Sequence, residues 1–207
     1  KGKTIAIPSR FSPHYILLYR YLADNGLDIA TDVTTIDMAP SDMVQALGAK
    51  SIDGFIVAEP FNAQAEEMGI GKTLVLSRDI VIPGAKNLEC GITLRKDFID
   101  RHPEAVQEFV EEMIQAGIWI DENPDDAANL IAPLIGQQPE TVLHTLIDPP
   151  GRTRFTDLYP RLEEFEALQD AMLSLGLLDS KIDMDAFVED KFAEQAYNKL
   201  GLKKQDW

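Results

Sequence analysis

The first half of the chain alternates short apolar segments with helical patterns, and this alternation constrains the fold more than any other feature. Strands are predicted at four short apolar segments, residues 4–8, 33–37, 54–58 and 73–77. Helical patterns begin between them, near His14, Pro40 and Glu59. Strands that alternate with helices at short spacing pair in parallel, so we predict a doubly wound, mostly parallel α/β sheet.

The second half of the chain is predicted to be helical. Pro103, Pro124, Pro139 and Pro160 each begin a helical stretch, and the last helix is expected over residues 183–200. The apolar stripe of the first long helix consists of Val106, Phe109, Val110, Met113, Ile114 and Gly117. One more strand, residues 88–94, is predicted between the two halves, with Cys90 buried in it.

The charge distribution excludes several classes of partner. The 207 residues carry a net charge of −16. Residues 1–94 hold 11 acidic and 8 basic residues, whereas residues 95–207 hold 24 and 11. Nucleic acids and anionic membranes attract clustered Lys and Arg, so neither is an expected partner. The weakly charged first half, by contrast, leaves room for an anionic ligand.

A ligand site is expected at the carboxyl ends of the predicted strands, where open α/β sheets bind their ligands. Residues 9–14, 40–42 and 59–62 follow the first three strands and begin helices. The free N–H groups and the dipole of a helix N-terminus favour an anion. The sequence therefore favours an anion site formed by these three segments.

Individual residues in these segments have both a binding and a purely structural interpretation. His14 can donate a hydrogen bond to an oxyanion, or lie at the helix start as a surface residue. Glu59 can orient a cationic group, hold a metal ion or position His14, or it can cap its helix. Ser41 can be a cap alone, and Lys86 by itself can be a surface lysine.

Motifs for metal, cofactor or hydrolytic chemistry are absent from the sequence. It contains no H-E-x-x-H, no EF-hand loop, no P-loop and no G-x-S-x-G. One cysteine permits no internal disulfide, and no run of about 18 apolar residues predicts a transmembrane helix. We therefore expect neither a cofactor nor a metal.

Several segments together resemble the nitrate/sulfonate/taurine group of ABC-transporter solute-binding proteins, with the nitrate and bicarbonate branch the most similar. They are PSRFSPH at residues 8–14, IDGFIVAEPFNA at 52–63 and DFIDRHPEAV at 97–106. The resemblance implies a type II periplasmic-binding-protein-like fold of two lobes that close on a ligand. Residues 1–88 would form most of the second lobe, residues 89–96 a hinge, and residues 97–207 a helical return to the first lobe.

The resemblance also implies a set of ligand-binding residues. His14 matches a ligand-contacting histidine, Lys86 a lysine that neutralises the anion in nitrate binders, and Glu59 lies in an E-P-W/F-N motif near the cleft. The predicted ligand-binding residues are His14, Lys86, Glu59, Ser12, Ser9, Ser41 and Asn62. The sequence around His14 departs from the usual T-H-N, so the identity of the anion stays open.

The resemblance implies partners and a location as well. Family members dock on a membrane permease outside the cytoplasm and begin with roughly a hundred residues of first lobe that have no counterpart here. The chain is then a fragment, or its first lobe is completed by a second chain, or it is a divergent member that associates as a dimer. The resemblance implies a binding module rather than an enzyme. Two other functions stay open, an enzyme of thiamine-pyrimidine synthesis or desulfination on this scaffold, and a ligand-sensing domain of a regulator.

Overall fold

A computed structural model describes residues 1–85 and 90–204 of the chain. The chain divides into two compact units. The first comprises Lys1–Asn87 with Ala167–Lys181, and the second comprises Leu88–Glu166 with Ile182–Trp207. The proposed division into a lobe, a hinge and a helical return segment stays a prediction, because these units do not report on motion.

The first unit contains a three-stranded parallel sheet with helices between its strands. Its elements are β1 (Lys3–Ile7), α1 (Pro13–Asp24), β2 (Val33–Asp37), α2 (Pro40–Gly48), β3 (Gly54–Phe55), α3 (Phe61–Glu67) and a 3-10 turn (Ser77–Asp79). The strand order is β2-β1-β3, with Ile5 of β1 opposite both Thr35 and Gly54. The predicted α/β class and parallel pairing are confirmed.

The two faces of β1 pack on different helices. Ile7 lies in a cluster with Leu18 and Leu22 of α1, whereas Ala6 lies in a cluster with Met43 of α2. Successive side chains of a strand point to opposite faces, so α1 and α2 cover opposite faces of the sheet. This is the doubly wound arrangement.

The boundaries of α1 follow from its end residues. Pro13 occupies the first turn, where its missing N–H costs no intrahelical hydrogen bond. At the other end Gly26 adopts a φ of 69°, and Leu27 N donates to Leu22 O at 2.8 Å. This is the hydrogen bond of a glycine-terminated helix, and it confirms the predicted end at Asn25 and Gly26.

Two of the predicted strands are wrong or shortened. The strand expected at 54–58 pairs only over Gly54–Phe55, and residues 73–76 form no strand. Thr73 N donates to the side chain of Glu66 at 2.8 Å instead of to a neighbouring strand, and Leu74 is 81% exposed. The Thr73 amide is therefore not available to pair with a neighbouring strand.

The predicted strand at 88–94 falls partly outside the described residues, which omit 86–89. Residues 90–94 are not in a strand, and Cys90 is exposed rather than buried. Ile92 is 56% exposed. Residues 90–94 therefore do not form the predicted strand, and the expectation of a buried thiol is wrong.

The second unit is built from helices. They are α4 (Lys96–Arg101), α5 (Pro103–Glu122), α6 (Pro124–Ile135), α7 (Pro139–Ile147), α8 (Leu162–Ser174), α9 (Met184–Phe187) and α10 (Lys191–Leu200), with α8 contributing its residues from Ala167 onward to the first unit. Pro103, Pro124 and Pro139 begin their helices as predicted. The prediction of one continuous last helix over residues 183–200 is wrong, because Val188 is extended and separates α9 from α10.

The helices of the second unit pack through small residues. Ala193 and Ala196 of α10 join Ile114 of α5 in one core cluster, and Ala128 and Ala132 of α6 join Val142 of α7 in another. Gly117 allows the closest approach, because a Cβ there would lie 2.0 Å from the carbonyl oxygen of Phe155. None of the described helices is long and apolar enough to cross a membrane.

Candidate functional site

The strand order places the candidate site between β1 and β3. In doubly wound sheets, ligands bind beyond the carboxyl ends of the strands, at the point where the strand order reverses. With the order β2-β1-β3, this point lies between β1 and β3. Residues 8–12 follow β1, and residues 56–60 follow β3. The topology therefore brings Ser9, Ser12 and His14 to the same sheet edge as Glu59 and Asn62.

The loop after β1 is a tight turn closed by its two serines. Ser12 N and Ser12 Oγ both donate to Ser9 O, at 3.0 and 2.7 Å, and Phe11 N donates to Ser9 Oγ at 3.1 Å. In this arrangement Ser12 uses its hydroxyl proton within the turn. Ser9 accepts with its hydroxyl, so its proton is left to donate to a ligand.

His14 is the second residue of α1 and is half-buried. Burial lowers the pKa of its imidazole below the ordinary value of 6.5. At neutral pH the ring is therefore uncharged, with one nitrogen that donates and one that accepts. His14 can give an anion a directed hydrogen bond but not a compensating charge, which must come from elsewhere.

Glu59 and Asn62 form a small network at the start of α3. Glu59 Oε2 accepts from Ala63 N at 3.1 Å, and Glu59 Oε1 accepts from Asn62 Nδ2 at 3.3 Å. Asn62 Nδ2 also donates to Val57 O at 3.0 Å. The structural interpretation of Glu59 is thus realised, because its carboxylate holds the first turn of α3.

Ser41 belongs to the same carboxyl edge of the parallel sheet, but it lies beside β2 rather than between β1 and β3. Ser41 follows β2, on the other side of β1, is exposed, and donates to Asp42 Oδ1 at 3.3 Å. Lys86 lies outside the described residues. The binding roles of all seven residues stay predictions.

Arg10 and Phe11 lie in the same loop and were missed by the sequence reasoning. Both are exposed, and the Arg10 guanidinium carbon lies 5.7 Å from the centroid of the Phe11 ring. Within residues 1–85 and 90–204, no ion pair involves Arg10. A basic residue directly after a central strand is the signal that could have identified it as a source of positive charge.

Two surface cavities are lined by residues of the second unit. One of about 570 Å³ lies between α5 and α10 and is lined by Glu104, Glu108, Glu111 and Glu112. Four carboxylates repel an anion even beside Lys199, which already pairs with Glu111 at 2.6 Å. Among the described residues, no group of three or more His, Cys, Asp or Glu side chains could hold a metal ion.

Comparison with known proteins decides the family. Residues 1–136 match the NMT1-like family. The chain belongs to this family. It is 27% identical over 150 residues to the nitrate/nitrite binding protein NrtA of Synechococcus elongatus, covering 72% of this chain and 30% of that protein. It is also 27% identical over 170 residues to a Bacillus subtilis protein named for binding aliphatic sulfonates, covering 80% and 48%.

Solved structures of binding proteins have the same fold. The ligand binding component of an ABC-type import system from Staphylococcus aureus matches with a TM-score of 0.81 and 25% identity, over 95% of this chain and 64% of that one. NrtA from Synechocystis matches with a TM-score of 0.76 at 19% identity, over 97% and 57%. These matches confirm the predicted fold and family, and the chain spans less than half of the two curated relatives.

Proposed function

We propose that this NMT1-like chain is the ligand-binding part of an ABC import system for a small anion. The observation that carries the proposal is the sheet edge between β1 and β3, where α1 begins beside Ser9 and His14. The relatives named for nitrate and for aliphatic sulfonates support an oxyanion as the ligand. Nitrate, a sulfonate and bicarbonate are the candidates.

In the proposed site, the hydrogen bonds to the ligand and the positive charge come from different residues. Neutral His14 and the Ser9 hydroxyl donate to the oxyanion at the N-terminal end of α1. Lys86 supplies positive charge, as the family resemblance implies. A site built to donate hydrogen bonds rejects solutes that cannot accept them, because its buried donors would be left unsatisfied.

The proposed mechanism is hinge closure. Residues 1–88 form most of one lobe, residues 89–96 the hinge, and residues 97–207 the return to the other lobe. A ligand that contacts both lobes binds the closed state more tightly and shifts the equilibrium towards it. The closed protein then docks on a membrane permease, on the extracytoplasmic side of the membrane.

An enzyme on the same scaffold is the second candidate function. The solved structure of the desulfurization enzyme DszB matches with a TM-score of 0.61 and 14% identity, which shows a shared fold alone. The relatives with significant sequence similarity are named as binding proteins or ATP-binding proteins of importers. We therefore favour transport. A ligand-sensing domain would share the same binding site and differ in its flanking sequence.

Isothermal titration calorimetry with a set of anions tests the proposal. The set contains nitrate, bicarbonate, sulfate, taurine and short alkanesulfonates. As an independent check by thermal unfolding, ligand at about 100 times its dissociation constant should add about 2.7 kcal/mol to the free energy of unfolding. We expect saturable binding of one anion, weakened at least tenfold by His14→Ala. His102→Ala, at the junction of α4 and α5, is the matched control and should bind normally. Absence of binding by the natural full-length protein would refute the function.

A further inference from the structure

The turn after β1 presents two large side chains at the carboxyl edge of the sheet. Arg10 and Phe11 are its central residues, and the turn is closed by Ser12 N, which donates to Ser9 O at 3.0 Å. Helix α1 begins immediately afterwards, at Pro13. Both side chains therefore belong to the segment that leads from the central strand into the N-terminus of α1, where the candidate site lies.

The backbone of this turn is fixed, whereas its two central side chains are largely in solvent. Phe11 N donates to Ser9 Oγ at 3.1 Å, and Ser12 Oγ donates to Ser9 O at 2.7 Å, so two serine side chains hold the turn. Phe11 is 62% exposed, and Arg10 is exposed as well. A turn that is already ordered can present these side chains to a ligand at a small cost in backbone entropy.

Arg10 is the basic residue of this edge. The segments that follow the three strands, residues 8–12, 38–39 and 56–60, contain one basic residue, Arg10, and one acidic residue, Glu59. The Glu59 carboxylate accepts hydrogen bonds at the start of α3, and Arg10 forms no ion pair within the described part of the chain. Its guanidinium therefore offers a planar fork of N–H donors, which matches two oxygens of one carboxylate or sulfonate group.

Phe11 supplies an apolar surface next to this charge. The Arg10 guanidinium carbon lies 5.7 Å from the centroid of the Phe11 ring, within the range of a cation–π contact. Small-molecule sites are lined mostly by apolar and aromatic side chains, with a few polar groups that fix the orientation of the ligand. A carbon chain attached to an anionic group could cover the Phe11 ring while the anionic group reaches Arg10. Nitrate and bicarbonate have no such chain.

We propose that Arg10 and Phe11 together select an organic anion, in which a carboxylate or sulfonate group is attached to an apolar chain. The inference rests on the proposed function and narrows its ligand. Arg10 contacts the anionic group together with Ser9 and His14, and Phe11 contacts the chain. Inorganic oxyanions form only the first set of contacts, so they should bind more weakly than organic anions.

Isothermal titration calorimetry of the natural full-length protein tests this selection with two pairs of ligands. Methanesulfonate and hexanesulfonate share one anionic group, and acetate and hexanoate share the other. Burial of one methylene group strengthens binding about fourfold. We therefore expect the longer member of one pair to bind at least about tenfold more tightly than the shorter member, and more tightly than nitrate or bicarbonate. The pair that shows this difference identifies the anionic group.

Two substitutions separate the role of the charge from that of the ring. Phe11→Ala should weaken binding of the long ligand about tenfold and that of the short one less than about twofold. Arg10→Gln should weaken binding of both about tenfold, because both lose a charged hydrogen-bond donor. Lys72→Ala and Met68→Ala are the matched controls and should bind normally, because Lys72 is exposed and basic, Met68 is 59% exposed, and both follow α3.

The possible results distinguish this inference from the proposed function. If nitrate binds as tightly as every organic anion and both substitutions leave its affinity unchanged, the inference is wrong and the proposed function stands. Equal losses for the short and the long ligand in Phe11→Ala would also overturn the inference, because they would assign Phe11 to the fold of the turn. Absence of binding by every anion would refute the inference and the proposed function together.

Discussion

The two units of this protein differ in how completely their apolar surfaces are buried. In the first, the sheet is covered on both faces, Ile7 by α1 and Ala6 by α2, and both residues are fully buried. In the second, α5 and α6 pack on one side and expose Phe109 and Leu134 on another. Exposed large apolar residues of the first unit occur singly, in loops such as that of Leu74 or, as with Tyr19, on a helix.

This difference shows that a helix can begin and end on signals within its own segment, whereas a core also needs a second layer that packs on the helix. Both units have amphipathic helices that begin at a proline, such as α2 and α5. Helices in proteins are stabilised mainly by tertiary packing, so the same pattern yields a stable core only where a second layer is available. We therefore expect the same type of substitution to change the free energy of unfolding by different amounts in the two units.

A matched pair of methionines gives the largest expected effect. Met43 of α2 is 0% exposed and Met113 of α5 is 38% exposed. Met43→Ala should lower the free energy of unfolding by about 2–5 kcal/mol, because it leaves a cavity in the core. Met113→Ala should change it by less than about 1 kcal/mol in the 207-residue chain, as expected for a surface position.

Urea denaturation followed by circular dichroism measures both values. Equal effects of the two substitutions in the 207-residue chain would contradict the distinction between a complete and an incomplete core.

Gly117 tests the part of the second unit that is closely packed. Gly117→Ala would place a Cβ 2.0 Å from the Phe155 carbonyl oxygen, so the loop or the helix must move. We expect a net loss of about 1–3 kcal/mol in the free energy of unfolding, even though alanine is favoured in helices by about 1 kcal/mol. Gly91→Ala, with no atom within 4 Å of its Cβ, is the control. A stabilised Gly117→Ala protein would show that this contact is loose.

Features encoded by neighbouring residues were predictable from the sequence. Asn25-Gly26 ends α1, and Pro103, Pro124 and Pro139 begin their helices, because each signal acts through the backbone of its own segment. The parallel order of the strands followed from their alternation with helices. The family resemblance then identified the fold, which the comparisons confirm.

Features that depend on distant partners were not predictable. Residues 73–76 have the composition of a strand, but the Thr73 amide is taken by Glu66, and Cys90 has no core to enter. At the candidate site the sequence suggested the capping role of Glu59 but not the hydrogen bonds of Ser9 and Ser12, which depend on how the turn after β1 folds. Arg10 was missed because its exposure depends on how the β1 loop folds.

The smallest expected effect concerns the charge of His14 in the first, fully packed unit. Burial lowers the pKa of His14 in the folded state below 6.5, so the unfolded chain binds a proton there first as the pH falls. His14 therefore favours folding above pH 6.5, and this contribution is lost as the pH falls below 6.5 and through the folded pKa. His14→Asn should remove this part of the pH dependence, measured as the difference between the melting temperatures of the two proteins from pH 8 to pH 5. A bound anion favours the protonated ring, so ligand should oppose the loss. Parallel pH profiles for the two proteins without ligand would show that His14 is solvated and that its burial does not control its charge.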